Sequence, residues 1–262
     1  MLVNGGACSA SFPMPALDDL LADESRRQGE FPVARESIFL AHAGVTILPR
    51  RVTRIMQEHL EQSCVRMQEY PEAWKAVTET RGVAARLIGA KASEISLIGP
   101  TSIGLSLVAN GLPWRAGDEV LINPDDYPAN VYPWRDLARH GVVVRELKPE
   151  RLGEITPELV EAALTPRTRL VALASCHYLS GYRIDVDAIG RLVRGRGIWF
   201  CLDAIQTVGA FDTKVDHVDF LSADSHKWML GPMTAGIFYV RDEWQDTLRP
   251  GLIGSWNVRS PN

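Results

Sequence analysis

Cysteine is scarce and scattered. The 262-residue chain has four, Cys8, Cys64, Cys176 and Cys201, with neither a CxxC pair for zinc nor the dense spacing of a disulfide-stapled secreted domain. They read as incidental thiols in a reducing compartment. Nowhere do apolar residues run long enough to cross a bilayer, and the N-terminus lacks a cationic start followed by an apolar stretch, so the expected location is the cytoplasm. No basic block is present: Lys plus Arg is 28 against 32 Asp plus Glu, a net charge of −4, which argues against nucleic acid as a partner. A P-loop is excluded because Leu105 and Ser106 follow Gly104 where Lys and Ser or Thr would be needed. No GxGxxG opens a helix, and His177, His217 and His226 have no metal-ligand spacing.

What remains is a globular composition, 46% hydrophobic and 23% charged, enough for a full core. Residues 1–35 are rich in Gly, Ser, Pro and charge, and only Leu17 to Ala22 has a helical pattern, so this stretch is expected to be an arm. Amphipathic helices are expected from Pro49 to Tyr70, with Val52, Ile55, Met56 and Leu60 on one face, and from Glu72 to Ile88. Short β-rich runs follow at 95–98, 120–122, 142–147, 170–174, 198–202, 220–223 and 236–240. Helices are expected between them at 102–110, 130–140, 156–164 and 185–194. Such alternation predicts an α/β fold with a largely parallel seven-stranded sheet sandwiched by helices, and ligands at the carboxyl ends of its strands.

Asp203 stands directly after the fifth run and Lys227 just after the sixth. A carboxylate and an amine at neighbouring strand ends suffice for a simple salt bridge. Their neighbours add more: Ser225 and His226 precede the lysine, and Gly99-Pro100-Thr101-Ser102 opens a helix after the first strand, as a phosphate cradle would. Thr101 or Ser102 taken alone reads as an ordinary helix cap. Tyr127, in the loop after the second strand, offers an aromatic face for a flat ligand, though alone it reads as a packed loop tyrosine. A planar ring with a phosphate, a nitrogen suited to a carboxylate and an aldehyde suited to an amine uses all of them: pyridoxal 5′-phosphate.

The blocks TSIGLSLVANGL, DDYPANVYPW, ASCHYLSGYRIDV, LDAIQTVGA and ADSHKWMLGP, in this order, resemble the class V aminotransferase family of fold type I pyridoxal phosphate enzymes. That group includes cysteine desulfurases, selenocysteine lyases, kynureninases and isopenicillin N epimerases. The resemblance implies a cofactor-binding large domain over residues 36–256 and a tail over 257–262. It implies that Lys227 forms the aldimine with the cofactor and moves the α-proton, that Asp203 pairs with the ring nitrogen, and that Gln206 donates to the phenolic oxygen. Tyr127 takes the stacking place, Thr101, Ser225 and His226 hold the phosphate with Ser102 beside them, and His177 or Tyr178 reaches the cofactor or substrate. Ser255 and Trp256 lie where such enzymes send a residue to a partner subunit's phosphate, which implies a homodimer.

Members of this family continue into a C-terminal small domain carrying the arginine for the substrate carboxylate and, in desulfurases, a loop cysteine. This sequence stops before both, and its four cysteines match no such position. The expected function is transamination, desulfuration or other lyase chemistry, or epimerisation, of an amino acid. The alternative is a catalytically impaired relative acting as a binding or dimerising partner. Uncovered apolar surface is expected near the two N-terminal helices.

Overall fold

The computed structural model describes residues 17–68 and 71–254. Seven strands, β1 (Ile95–Ile98), β2 (Glu119–Ile122), β3 (Val143–Glu146), β4 (Thr168–Ala174), β5 (Trp199–Asp203), β6 (Phe220–Ala223) and β7 (Gly236–Val240), form one sheet in the order β1-β7-β6-β5-β4-β2-β3. β3, β2, β4, β5 and β6 run parallel, while β7 is antiparallel to both β6 and β1. The antiparallel step has a physical cause: the connection from β6 to β7 has no room for a crossover helix, so β7 returns alongside β6 in the opposite direction.

Eight α-helices accompany the sheet among the described residues: α1 (Leu17–Ala22), α2 (Glu24–Glu30), α3 (Arg50–Ser63), α4 (Pro71–Ile88), α5 (Thr101–Gly111), α6 (Tyr132–Asp136), α7 (Pro157–Ala163) and α8 (Val186–Arg194). Strand side chains alternate between two cores, as a pleated sheet covered on both faces requires. Val171, Leu173, Phe200 and Leu202 pack with Ile88 of α4, Val160 of α7 and Ile189 and Val193 of α8. Leu170, Ala172, Trp199 and Cys201 point the other way, toward Leu105 and Val108 of α5 and Trp134 of α6.

The sheet agrees with the periodicity to within two residues at each strand end. Three expectations are corrected. Leu17 to Ala22 is not the sole helical stretch of residues 17–35: α2 follows α1, started by Asp23, whose carboxylate accepts from the N–H groups of Ser25 and Arg26, and a 3-10 turn spans Pro32–Arg35. The helix expected to reach Tyr70 ends at Ser63. The stretch 130–140 is α6 flanked by 3-10 turns at Pro128–Asn130 and Leu137–His140, because Pro128 and Pro133 interrupt the hydrogen-bond ladder.

The expected apolar surface is present. No residue of α3 is buried, and Ile55 and Leu60 are 61% and 65% exposed. Trp74, Val77, Val83 and Leu87 of α4 are exposed as well.

Candidate active site

The strand ends converge. Asp203 is the last residue of β5 and is almost wholly buried, with its Oδ1 accepting from the Ile205 N–H at 3.1 Å. Lys227 follows the end of β6 by a short loop and is only 8% exposed. Its Nζ lies 5.6 Å from the ring centroid of Tyr127. Tyr127 is 52% exposed, leaving one side of its ring open, and packs edge-on against Tyr178 at 5.4 Å.

Burial governs both charges. It pushes the Asp203 carboxyl up to about 7; the Ile205 N–H opposes the rise, the Asp126 carboxylate adds to it, and the Lys227 charge opposes it. Burial likewise lowers the Lys227 amine, against the attraction of Asp203. Near neutral pH a mixture of charged and neutral carboxyl therefore faces an amine displaced toward its free-base form.

The α5 N-terminus brings the hydroxyl residues close. Pro100 occupies the cap position and α5 begins at Thr101, so neither Thr101 nor Ser102 caps the helix. Thr101 Oγ1 accepts from the Asp224 N–H at 2.9 Å, which leaves its own proton available to donate. Ser225 Oγ donates to the Pro232 carbonyl at 2.8 Å, and its backbone N–H is held by Asp224. His226 Nδ1 is buried 2.9 Å from Asp224 Oδ2, an ion-pair contact without a hydrogen bond. The connection carrying these residues includes two non-glycine residues in the left-handed region, Leu230 at φ 58° and Thr234 at φ 70°. A Cβ on Gly231 would collide with Ser225, so this turn fits tightly under the serine.

Two nominated residues are less free than expected. Gln206 donates to the Ala43 carbonyl at 3.0 Å and accepts from the Trp228 indole at 3.0 Å, keeping one amide N–H in hand. His177 is engaged at both ring nitrogens: Nε2 meets the Asp125 carbonyl at 2.9 Å and Nδ1 accepts from the Ser180 N–H at 3.1 Å. Donation by Nε2 to the carbonyl satisfies the pair, so the expected hydrogen bond from His177 to a ligand has no free ring atom. Ser255, Trp256 and Cys8 lie outside the described residues.

Several contributors went unnoticed in the sequence. Asp126 is buried and accepts from Asn123 and Asn130 of its own loop. The 42–46 segment straps the lysine loop: Thr46 N–H donates to the His226 carbonyl at 2.8 Å, and His42 lies 5.2 Å from the Trp228 ring. A cavity of about 980 Å³ opens beside Trp228, Met229 and Leu230, walled by Phe31 and Phe39. Another, of about 580 Å³, is lined by Arg183, Lys214 and Asp212, and neither cavity is lined by a nominated residue.

Comparison with known proteins agrees with this architecture. The aminotransferase class-V family model matches residues 38–262. A probable cysteine desulfurase of Methanothermobacter thermautotrophicus is 30% identical over 236 residues, covering 87% of this chain and 59% of the relative. Cysteine desulfurase IscS of Shewanella frigidimarina is 32% identical over 234 residues, covering 85% and 58%. The apo structure of the cysteine desulfurase from Thermococcus onnurineus NA1 superposes with a TM-score of 0.80 at 26% identity, covering 92% of this chain and 61% of that one. The chain thus spans about three-fifths of the length of the relatives it matches. With its mostly parallel seven-stranded sheet and the match running over most of its length, the chain belongs to the class-V aminotransferase family and has the fold type I large-domain architecture.

Proposed function

We propose that this chain forms the cofactor-binding part of a pyridoxal 5′-phosphate enzyme that acts on an amino acid through Lys227. One observation carries the reading: two buried ionisable groups at adjacent strand ends, each displaced from its ordinary protonation by burial. Such a pair is costly to keep without a ligand that suits both, and shifted groups of this kind concentrate at functional sites. The residues present fit the cofactor. Asp203 suits a cationic ring nitrogen and the free proton of Thr101 suits a phosphate oxygen, while His226 Nδ1 lies against the Asp224 carboxylate.

Pyridoxal phosphate, when bound, supplies an electron sink for the pair left as a bond at the substrate α-carbon breaks. The chain's own residues do the rest. Lys227, displaced toward the free amine, is the nucleophile and then the base that takes and returns the α-proton. Asp203 holds the ring-nitrogen proton. Tyr127 covers one ring face and keeps water from it. Thr101 and His226, with Ser102 and the first-turn N–H groups of α5, grip the phosphate, and Ser225 joins by turning its hydroxyl from Pro232. The remaining Gln206 N–H reaches the phenolic oxygen. His177 steadies the loop and takes no part at the ligand.

Cysteine is the first amino acid to test, because relatives bear the name cysteine desulfurase. The Cys176 and Cys201 thiols do not resemble a sulfur acceptor: burial raises the first and holds the second well above its usual range. The exposed apolar faces of α3 and α4 support self-association, as a homodimer, and the free thiols Cys64, Cys176 and Cys201 support a cytoplasmic setting. No described helix is long and apolar enough to cross a membrane.

Incubation of the purified protein with pyridoxal phosphate should give a visible absorbance band that borohydride fixes on the peptide containing Lys227. Lys227→Ala should lack both. A band fixed in that variant, or label on another peptide, would overturn the assignment.

A further inference from the structure

Asp126 is a buried carboxylate that the proposed chemistry does not use. Its partners are unusually well spread. Oδ1 accepts from Asn123 Nδ2 at 2.9 Å; Oδ2 accepts from Asn130 Nδ2 at 3.1 Å and from the Ala174 backbone N–H at 2.9 Å. Asn130, wholly buried, passes the network to the Trp134 indole at 3.0 Å. One side chain therefore closes the loop from Asn123 to Asn130 upon itself and ties it to the carboxyl end of β4.

Two relationships place this clamp. Tyr127 is the next residue along the chain, so fixing Asp126 fixes the backbone from which the Tyr127 ring projects over Lys227. Ala174, whose N–H is held, is the register partner of Asp203 across β4 and β5. The groups assigned to the face and the edge of one ring are joined through a single carboxylate. Burial raises the Asp126 carboxyl, against its Ala174, Asn123 and Asn130 donors and the pull of His177; when ionised it acts on Asp203 of β5 as a like charge, with Lys227 beyond Asp203.

We propose that Asp126 is a positioning residue: it locks Tyr127 and Asp203 in register and adds a second buried negative charge beside Asp203, favouring a cationic partner there. Its role as a clamp toward the cofactor rests on the pyridoxal phosphate reading, whereas its electrostatic hold on Asp203 exists without any ligand. A fold-supporting carboxylate alone would not need to act on Asp203. Removing the Asp126 charge should lower the Asp203 titration midpoint, because a like charge opposes ionisation.

The test uses Asp126→Asn, which keeps the shape and removes the charge. In ligand-free protein, carbon-13 carboxyl NMR should show the Asp203 midpoint falling. Fluorescence titration with pyridoxal phosphate should show a several-fold weaker Kd. An unchanged midpoint in a folded variant overturns the electrostatic role whether or not the cofactor binds. If the wild-type protein fails to bind pyridoxal phosphate while the midpoint still moves, the cofactor reading fails and the charge coupling stands. Should Asp126→Asn not fold, Asn123→Ala loosens the clamp and keeps the charge: weaker cofactor binding with an unmoved Asp203 midpoint supports the lock, and an unchanged Kd overturns it.

Discussion

The Lys227 amine lies 5.6 Å from the centre of the Tyr127 ring, close enough for the cation to be drawn to the aromatic face. Tyr127 comes from the loop after β2 and Lys227 from the loop after β6, and β4 and β5 separate those strands in the sheet. Only the parallel stacking of strand ends brings them together.

Tyr127→Ala should weaken pyridoxal phosphate binding by roughly threefold to tenfold, the worth of an aromatic stack. Tyr127→Phe keeps the ring and should bind close to wild type. Equilibrium titration of both variants checks this; equal loss in the two would place the effect on the hydroxyl.

Asp203 predicts how stability responds to pH. Its folded value of about 7 exceeds the unfolded value of about 3.9, so between these limits the native state binds more protons than the unfolded state. Stability should fall as pH rises from about 4 through 7, by a few kcal/mol at the upper end. Calorimetry of the ligand-free protein should show Tm dropping across that window, and Asp203→Asn should flatten the slope. Saturating pyridoxal phosphate should flatten it too, by supplying a cation that keeps the carboxylate ionised.

Gly104 allows α5 to lie against β6. A Cβ there would overlap Ser222 Oγ and sit 2.8 Å from Ser222 Cβ. Gly104→Ala should cost about 1–3 kcal/mol and displace Thr101, whose carbonyl accepts from Ser222 Oγ at 3.0 Å. Pairing it with Ser222→Gly should recover part of the overpacking cost, and denaturant titration of the single and double variants measures that coupling.

Thr234 is exposed, β-branched and left-handed, a costly combination on the backbone. Thr234→Gly keeps the N–H that donates to Asp224 and should stabilise the protein by up to about 1 kcal/mol after the glycine entropy cost is deducted. A lower denaturation midpoint in this variant would refute the strain.

Much of the fold was legible because its signals are local. β4, β5 and β6 are apolar runs long enough to be recognised, with Asp203 closing β5 and Lys227 a short loop beyond β6. The order of strands was not legible, since the seat of β1 beside β7 depends on packing between distant segments. α2 escaped because ESRRQGE has no apolar period and is announced only by its Asp23 cap. The importance of Asp126 was hidden for the same reason as the engagement of His177: sequence adjacency to a strand end does not say where a side chain will find its partners. One turned inward to Ala174, and the other was consumed by Asp125 and Ser180.

The alternation of β4 and β5 between two cores separates two kinds of evolutionary freedom. Phe200 and Leu202 belong to the layer under α8, whereas Trp199 and Cys201 share theirs with α5, the helix that starts at Thr101. Drift in the first layer is felt by α4, α7 and α8 and by Ala204 and Met229 beside the site, while drift in the second is felt at the start of α5. Substitutions that alter ligand affinity without touching the ligand should therefore reach it by a different route from each side of the sheet.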